Sequence, residues 1–425
     1  MGVSLSRAGY DVIVVGAGPA GSLAAFALAK GGARVALVDK ASLGRDKACG
    51  DLVGPRGVRL LDDLGLGVPG ARTAGDMIVA GPTGRRVTLP ARAGRTYPGH
   101  AVIVPRVRFD AHLRAAAFDA GADDISARLV SVDGGRVVLD RGPAIEADFV
   151  IGADGATSTT AASAGLIDPA RVLWGFALRG YLATDVALPV IALWNDLPRR
   201  GFPGYGWVFP GPEGANLGLG VGLGHHRHGA RRAQRQLGAF RAHLHRIGLL
   251  DAVDDEPMRV LGGWLKMGMV GTRPAGGNVL LVGDAAGLVN PLQGEGIAQA
   301  LASGYAAADA VLNRPGSAAP AYRRWIAETF GPFASVTSPI HAALVGHPRR
   351  IAAVAGVLTA PVVGPAIAST WAIYWNNLMD GASRSASAAT AGVVHHLGGM
   401  VTRPSRLRRS LRRDLGDGDA PHVAS

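Results

Sequence analysis

The sequence predicts an α/β fold in which a parallel sheet is interleaved with a second, antiparallel sheet. Three observations lead to this prediction. An apolar strand over Tyr10–Val15 runs into a glycine-rich turn and a helix over 19–31, and a second strand ends at Asp39, so that the three form a βαβ unit. Apolar runs alternate with Gly/Pro turns from 172 to 223, as in an antiparallel sheet. The chain then returns to the first sheet at 279–312.

Size, charge and cysteine content restrict the class of protein. The chain has 425 residues, 48% of them hydrophobic and 18% charged, which is typical of a globular protein with two or three layers or subdomains. The net charge of +12 fits a solvated basic surface, an anionic membrane or a phosphorylated ligand. Nucleic acid is not expected, because no nucleic-acid module is recognisable. The single cysteine, Cys49, excludes an internal disulfide and cysteine-ligated zinc or iron–sulfur sites.

A glycine fingerprint near the start of the chain predicts a dinucleotide site. Its glycines stand between the first strand and the first helix, where they allow a tight turn and a close approach of pyrophosphate to the helix N-terminus. An aspartate at the end of the second strand can accept hydrogen bonds from ribose hydroxyls. The residues expected to bind the dinucleotide here are Gly16, Gly18, Pro19, Ala20, Gly21, Asp39 and Lys40.

A second helix start, late in the chain, predicts a contact with the same ligand. The apolar strand 279–282 leads to Asp284, and a Pro/Gly-rich turn then precedes a helix. The free N–H groups and the positive end of that helix favour an electron-rich group. Two such sites so far apart in sequence indicate one long ligand held at both ends. FAD fits, with its pyrophosphate at the first site and its ring at the second, where the expected contacts are Gly294, Glu295, Gly296 and Ile297.

Several segments resemble the p-hydroxybenzoate hydroxylase-like flavoproteins. Arg106 matches an arginine that contacts the flavin nucleotide in that class, and Asp284 matches the aspartate that holds the ribityl chain. Residues 152–158, with Asp154 and Gly155, match the second fingerprint of the class. The resemblance implies a Rossmann-type FAD-binding domain interleaved with an antiparallel-sheet substrate domain. A C-terminal helical segment is expected to follow, and it does not contribute to the resemblance.

Three motifs narrow the resemblance to the geranylgeranyl reductase family, which saturates isoprenoid double bonds using FAD. Glu295 stands where aromatic hydroxylases typically have Gln, although capping of the helix is favoured over an acid role for it. Residues 204–210 fit the pattern Tyr-x-Trp-x-Phe-Pro, and 47–51 read Lys-Ala-Cys-Gly-Asp. The resemblance covers about residues 8–312. It implies that Cys49 and Gly50 lie near the flavin ring, and that a lipid cavity beside it is lined by Tyr205, Trp207, Phe209 and Pro291.

The residue chemistry agrees with an isoprenoid substrate. A prenyl chain offers no hydrogen bonds, so its site must be apolar with aromatic walls. On an alternating strand Tyr205, Trp207 and Phe209 share one face, although ordinary packing in the sheet would also place them so. Saturating an isolated alkene needs a hydride at one carbon and a proton at the other. Cys49 is the candidate catalytic residue, either as the proton donor or as a residue that shapes the cavity.

The leading hypothesis is therefore an FAD-dependent reductase of a prenyl lipid, with NAD(P)H as the expected reductant. Candidate substrates are a menaquinone side chain, which is preferred, geranylgeranyl diphosphate, and a prenylated glycerolipid. One departure bears on the docking of the reductant, since the second fingerprint usually ends in an arginine and this chain reads Thr-Thr-Ala at 159–161. The alternatives are an FAD-dependent monooxygenase or epoxidase of secondary metabolism, a cluster-free electron-transfer flavoprotein that feeds quinones, and a lipid-binding flavoprotein without turnover.

The domain organisation follows from the interleaving. We expect three stretches in the FAD-binding domain, two in the substrate domain and one C-terminal segment. The FAD-binding stretches are 1–75, 101–171 and 269–330, the substrate stretches are 76–100 and 172–268, and the C-terminal segment is 331–425.

The C-terminal segment suggests contact with a membrane. Residues 351–379 carry no charge, and Pro361 and Pro365 favour two short helices over one spanning helix. Arginines follow, at 403, 406, 408, 409, 412 and 413. Peripheral attachment through 351–413, on the inner face of the cell membrane, competes with a simple helical cap on the core. A cytoplasmic location is expected, because residues 1–9 lack the apolar core of a signal peptide.

A group of histidines in the middle of the chain does not indicate a metal site. His225, His226 and His228 stand beside arginines, without clustered carboxylates. A polar loop is the better interpretation, and no metal is expected.

Overall fold

The computed structural model contains both predicted sheets, and it describes residues 9–41, 44–193, 204–225, 230–251, 258–344, 347–402 and 406–415. The strands are β1 Tyr10–Val15, β2 Val35–Asp39, β3 Leu52–Val53, β4 Arg72–Ala74, β5 Met77–Ala80, β6 Arg86–Leu89, β7 Ala101–Ile103, β8 Asp123–Ser126, β9 Leu129–Asp133, β10 Arg136–Leu139, β11 Ile145–Gly152, β12 Leu173–Leu182, β13 Val190–Ala192, β14 Gly204–Gly211, β15 Gly214–Gly224, β16 Leu261–Met267, β17 Ala275–Gly276 and β18 Val279–Leu281. The helices are α1 Pro19–Lys30, α2 Pro55–Asp63, α3 Arg106–Asp119, α4 Thr159–Ser163, α5 Ala230–Arg246, α6 Ile297–Asn313, α7 Ala318–Thr329, α8 Gly331–Leu344, α9 Pro348–Leu358, α10 Gly364–Trp375, α11 Ala386–Thr402 and α12 Arg406–Leu415.

The parallel sheet has the strand order of a nucleotide-binding domain. Strand β1 lies between β2 and β11, and the sheet continues to β8 on one side and to β18 on the other. All of these neighbours pair in parallel. Every residue of β2 is buried, as expected for a parallel strand covered on both faces. Ligands bind such sheets at the carboxyl ends of the strands near the switch point, which here lies between β1 and β11.

The antiparallel sheet is built from two separate stretches of the chain. Its strand order is β16-β12-β15-β14-β13-β5-β6. Strands β5 and β6 precede α3, and they join the later strands through the parallel pairing of β5 with β13. Phe240 and Leu244 of α5 pack against this sheet in a cluster with residues of β12 and β15. The predicted interleaved α/β fold is therefore confirmed, whereas the exact domain boundaries stay predictions.

Helix α3 begins earlier than the sequence predicts. The sequence predicts this helix over 109–120, but it begins at Arg106, directly after Pro105. The three additional residues bring Arg106 one turn before Asp110, and the two side chains form an ion pair at 2.7 Å. This pair, at i and i+4, stabilises the first turn, which explains the earlier start.

The C-terminal segment packs on the core with one face. The two short helices predicted for this segment are present as α9 and α10, with Pro365 in the first turn of α10, and Leu358 and Ala368 are buried with Val87 of β6. Part of the arginine-rich tail forms α12, whose Leu411 is 1% exposed. None of the described helices is long and apolar enough to span a bilayer. His226, His228 and Arg403 lie outside the described residues.

Helices α1 and α6 approach each other closely because both carry small residues. At Gly304 of α6, an added Cβ would lie 2.2 Å from the Ala20 carbonyl oxygen of α1. That distance is shorter than any van der Waals contact, so the backbones would have to separate. Since α1 and α6 each begin at one end of the proposed cofactor site, their spacing sets the distance between those two ends.

We predict that Gly304→Ala destabilises the protein by about 1–3 kcal/mol, because overpacking forces the two helices apart. Urea unfolding followed by tryptophan fluorescence measures the change. Gly238→Ala is the matched control, since Gly238 lies in α5 and an added Cβ there meets nothing within 4 Å. The free energy of unfolding of the control is expected to stay the same or to rise by about 0.5–1 kcal/mol. Equal stability of both variants would contradict the close packing.

Candidate functional site

A cavity of about 760 Å³ brings together much of the predicted site. Its lining comes from the loop after β2, the aromatic strand β14, the start of α6 and the C-terminal helices. The predicted residues that line it are Pro19, Cys49, Gly50, Arg106, Tyr205, Trp207, Phe209, Asp284, Pro291, Gly294, Glu295, Gly296 and Ile297. The remaining predicted residues lie outside this lining, at the ends of β1, β2 and β11 and at the start of α1, and they are Gly16, Gly18, Ala20, Gly21, Asp39, Lys40, Asp154 and Gly155.

The turn between β1 and α1 leaves a helix N-terminus open for an anion. Gly16 has a φ of 105°, and an added Cβ there would lie 2.4 Å from the Ala153 carbonyl oxygen. At Gly21 a Cβ would lie 1.8 Å from the Gly16 oxygen, so both positions require glycine. At Gly18 the nearest atom to a Cβ is 3.6 Å away, which leaves room for a ligand. No side chain caps α1, so its first N–H groups are available to a pyrophosphate.

Asp39 holds this turn in place. Its Oδ2 accepts a hydrogen bond from the Ala17 N–H at 2.6 Å, and its Oδ1 accepts one from Ala41 at 2.7 Å. A carboxylate offers about four lone-pair sites, so Asp39 keeps capacity for a ribose hydroxyl. Lys40, which follows it, is exposed.

The second end of the site is the turn between β18 and α6. Asp284 forms an ion pair with Lys47 at 3.1 Å, which joins this turn to the loop after β2. Glu295 Oε1 accepts the Ala298 N–H at 3.0 Å, so Glu295 caps the start of α6. Burial raises the pKa of Glu295, and the bonds from Ala298 and Gln299 partly oppose that rise. The structure thus gives Glu295 the capping role that the sequence favoured.

A buried lysine that the sequence did not single out supports the same turn. Lys266 is fully buried on β16, and its Nζ donates to the Ala285 carbonyl oxygen at 2.5 Å. Burial lowers the pKa of Lys266 to about 8, although the charges of Asp154 and Asp284 oppose the shift. The lysine therefore fixes the backbone next to Asp284 and offsets part of the carboxylate charge there.

Asp154 and Arg106 are both held by neighbours. Asp154 accepts hydrogen bonds from the Ser158 hydroxyl and, at 2.9 Å, from the Thr160 N–H, so it organises the start of α4. Gly155 beside it has a φ of 83°, and an added Cβ there would meet nothing within 4 Å. Arg106 is 4% exposed and makes two hydrogen bonds of 2.7 Å to Asp110.

Asp51 is the centre of a buried hydrogen-bond network. It is 1% exposed and has a φ of 63°, in the left-handed region. Its Oδ1 accepts the Arg106 N–H at 3.2 Å, and its Oδ2 accepts the Tyr181 hydroxyl at 2.6 Å and the Asn216 amide at 2.7 Å. The loop that carries Cys49 is thereby fixed to both α3 and the antiparallel sheet.

Asn216 joins the Cys49 loop to the aromatic strand. Its Nδ2 also donates to the Cys49 carbonyl oxygen at 2.8 Å, and its Oδ1 accepts the Trp207 Nε1–H at 2.8 Å. Sequence reasoning missed Asn216, although it is the only polar side chain in the apolar run of β15. A buried polar residue within such a run has to find hydrogen-bond partners, and that signal could have identified it.

The three aromatic residues of β14 form one wall of the cavity. The ring centroids of Tyr205 and Trp207 lie 6.1 Å apart, and those of Trp207 and Phe209 lie 6.3 Å apart. An added Cβ at Gly50 would lie 2.9 Å from the Phe209 ring. The Cys49 loop therefore packs directly against this wall, and the predicted shared face is confirmed by the structure.

The environment of Cys49 favours the protonated thiol. Burial raises the pKa of Cys49, and Asp51 adds to the rise, whereas the charge and hydrogen bond of Arg106 oppose it. A thiol with a raised pKa keeps its proton at neutral pH. Cys49 thus holds a proton at the junction of the cofactor loops and the aromatic wall.

Comparison with known proteins identifies the family. The FAD binding domain family matches residues 9–312. A menaquinone reductase of Mycolicibacterium smegmatis is 38% identical over 70% of this chain and 75% of its own length. A geranylgeranyl diphosphate reductase of Rhodobacter capsulatus is 33% identical over 71% of this chain and 75% of its own length. The chain belongs to the geranylgeranyl reductase family of FAD-binding proteins.

A solved structure shows the same fold as this geranylgeranyl reductase family member. It is the geranylgeranyl bacteriochlorophyll reductase-like protein of Thermoplasma acidophilum, which is 23% identical. The superposition covers 96% of this chain and 98% of that one, with a TM-score of 0.69. The shared fold therefore extends through the C-terminal helices.

The residues present in this FAD-dependent oxidoreductase fit its cofactor. The open N-terminus of α1 and the space at Gly18 accommodate a pyrophosphate, and α6 begins at the cavity. Gln299 Oε1 is buried on the cavity lining and has no hydrogen-bond partner among the described residues, so a donor on a bound group would satisfy it. Within the same residues no group of His, Cys, Asp or Glu is arranged to hold a metal ion.

We predict that the Cys49 thiol of the folded protein titrates above its ordinary pKa of 9.0, because burial disfavours the thiolate. The rate of iodoacetamide labelling, followed by mass spectrometry, should rise about tenfold per pH unit. It should not level off at any pH below the ordinary pKa of the thiol. The same protein unfolded in urea is the control, and its rate should level off near the ordinary value. The chain has one cysteine, so the label reports this thiol alone. A plateau of the folded protein at lower pH would contradict the prediction.

Proposed function

We propose that this protein saturates isoprene double bonds of a prenyl lipid, and that the side chain of a menaquinone is its preferred substrate. The main support is the cavity of about 760 Å³ in which the Cys49 loop meets the aromatic wall. Relatives named menaquinone reductase and geranylgeranyl diphosphate reductase support the same reaction class. An apolar tunnel suits a chain that offers no hydrogen bonds, and it excludes water from the reacting carbons.

The charges around the cavity favour a neutral headgroup over a diphosphate. Each of four basic residues on its lining has a carboxylate partner, which leaves little positive charge for a multiply charged anion. The pairs are Lys47–Asp284 at 3.1 Å, Arg59–Asp63 at 2.8 Å, Arg106–Asp110 at 2.7 Å, and Arg56–Asp380. Arg92, which is exposed, also lines the cavity. A menaquinone is uncharged, so its headgroup needs no unpaired positive charge on the lining.

The proposed roles of the site residues follow from this arrangement. When bound, FAD supplies hydride chemistry that amino-acid side chains lack. Cys49 holds a proton on Sγ beside the aromatic wall, where an alkene carbon needs one, and Arg106 moderates its pKa. Tyr205, Trp207 and Phe209 orient the prenyl chain. NAD(P)H is the reductant that we propose. The proposed cofactor contacts are Gly16, Gly18, Pro19, Ala20, Gly21, Asp39, Lys40, Gly50, Arg106, Asp154, Gly155, Asp284, Gly294, Glu295, Gly296 and Ile297.

Peripheral attachment to the inner face of the cell membrane is part of the proposal. Apolar side chains are exposed in the C-terminal segment, among them Val362 of the turn between α9 and α10, 89% exposed, and Leu397 and Val401 of α11, 50% and 80% exposed. Arg408 of α12 donates to the Gly399 carbonyl oxygen of α11 at 2.7 Å, which brings the arginine-rich helix next to this apolar surface. Apolar side chains beside basic ones match an anionic bilayer.

Anaerobic incubation of the FAD-loaded protein with a reductant and a short-chain menaquinone tests the function. The product should be heavier by two hydrogen atoms, and geranylgeranyl diphosphate should react more slowly, because the lining cations are already paired. Cys49→Ala should retain FAD and lose about 10²-fold or more in rate. A strict requirement for oxygen with a product heavier by one oxygen atom would establish the monooxygenase alternative instead. Unchanged turnover of the variant would show that Cys49 only shapes the cavity.

Vesicle flotation tests the attachment. The double variant Val362→Asp/Val401→Asp should bind anionic vesicles about tenfold or more weakly, since each buried valine contributes roughly 1.5–3 kcal/mol. Val130→Asp is the matched control, because Val130 is 52% exposed on β9, away from the C-terminal helices. Equal flotation of the wild type and the double variant would rule out this surface.

A further inference from the structure

A second cavity, of about 450 Å³, lies where α12 meets the turn before β12. Its lining comes from Ala170 and Arg171, from His225 and Val270, and from one face of α12. Across the described residues it shares no lining residue with the larger cavity. The proposed reductase site therefore does not account for it.

The lining of this second cavity is strongly basic. Its polar residues are Arg171, His225, Arg406, Arg409, Ser410 and Arg413. No carboxylate occurs among the described lining residues. Arginine presents a planar fork of donors that matches the oxygens of a phosphate, and a serine hydroxyl adds another donor.

Helix α12 is docked so that its basic face borders the cavity. Leu411 is 1% exposed, and Leu407 packs against a cluster that contains Leu173 and Val270. The arginines at 406, 409 and 413 are spaced by three and four residues, so they share the opposite face, and all three are exposed. The packing of the leucines therefore fixes where these charges lie.

A partly buried ion pair holds the other wall. Arg171 donates to Asp414 Oδ2 at 2.6 Å, and the same oxygen accepts the Gly271 N–H at 3.0 Å. Asp414 is 7% exposed, and burial raises its pKa, while Arg171, the Gly271 N–H and the charge of Arg413 oppose that rise. Asp414 balances Arg171 and offsets part of the charge of Arg413, while both Arg406 and Arg413 lie on the lining of the cavity.

Helix stability does not explain this positive charge. Like charges three and four residues apart destabilise a helix, and a cation in the first turn, such as Arg406, opposes the helix dipole. A bound anion would offset both effects. We propose that the second cavity binds a phosphate group, supplied either by a soluble phosphate or by the headgroup of an anionic lipid. The proposal concerns a separate site and does not depend on the reductase function.

Titration of the FAD-loaded protein with pyrophosphate, followed by calorimetry at low salt, tests the site. Loading with FAD keeps the probe away from the dinucleotide site. The double variant Arg406→Gln/Arg413→Gln should bind about tenfold or more weakly, because it removes two charged donors from the lining. Arg412→Gln is the matched control, since Arg412 lies on the same helix and outside the lining. The pyrophosphate affinity of this variant should stay within about twofold of that of the wild type. Flotation with vesicles that contain phosphatidic acid, compared with phosphatidylcholine alone, forms the second arm.

Each outcome decides the proposal. Saturable pyrophosphate binding that the double variant weakens supports a site for soluble phosphate. Binding only to phosphatidic acid vesicles, again weakened by the double variant and not by the control, supports a lipid headgroup site. Equal weakening by Arg412→Gln would reduce the effect to general surface charge and overturn the site. Absence of saturation in both arms would also overturn it.

Discussion

The site depends on the way Asp51 is held. Its backbone adopts a left-handed conformation that non-glycine residues enter at a cost of roughly 1 kcal/mol, which Asp tolerates better than most. Its buried carboxylate accepts bonds from α3, from Tyr181 of β12 and from Asn216 of β15. These partners lie on α3, next to the parallel sheet, and on two strands of the antiparallel sheet. A single carboxylate therefore fixes the Cys49 loop relative to the cofactor side and to the aromatic wall. Asn216 also bonds to the Cys49 carbonyl oxygen and to Trp207, and Asp51 holds that amide in place between them.

Burying the Asp51 carboxylate is costly for stability, which indicates that this carboxylate serves to position the loop. Burial raises the pKa of Asp51 above its ordinary value, while Tyr181, Asn216 and nearby arginines partly oppose the rise. A carboxyl whose folded pKa is raised binds protons more readily in the folded state. Its contribution to stability therefore falls as the pH rises from the unfolded pKa through the folded one, and at neutral pH the folded protein bears the full cost. The hydrogen bonds at Asp51 offset part of that cost and bring order to the loop that carries the thiol.

Much of this arrangement could be predicted from local sequence, and the remainder depends on distant partners. The βαβ unit, the start of α6 and the shared face of Tyr205 and Trp207 follow from spacing, because helix and strand periodicity are local properties. The network around Asp51 joins residues 165 positions apart, such as Asn216, and no local pattern encodes that pairing. Lys266 was missed for the same reason, since only the folded chain shows that its ammonium reaches the Ala285 carbonyl. The destination of the apolar C-terminal segment also required the structure, because an uncharged helix can pack on a protein core or on a bilayer.

Because the C-terminal helices pack on the core, they also form part of the lining of the larger cavity. The FAD-binding match ends at residue 312, yet the lining of the larger cavity continues into the C-terminal helices, where Trp371 and Trp375 pack with ring centroids 4.9 Å apart. Trp371 also joins the apolar cluster that α10 forms with β6. The cofactor end of the cavity thus lies within the stretch that the family model matches, and the far end is built from helices outside that match. Substitutions in α9 to α11 would therefore change the far end of the lining without touching the Cys49 loop, because Asp51 holds that loop through α3, β12 and β15.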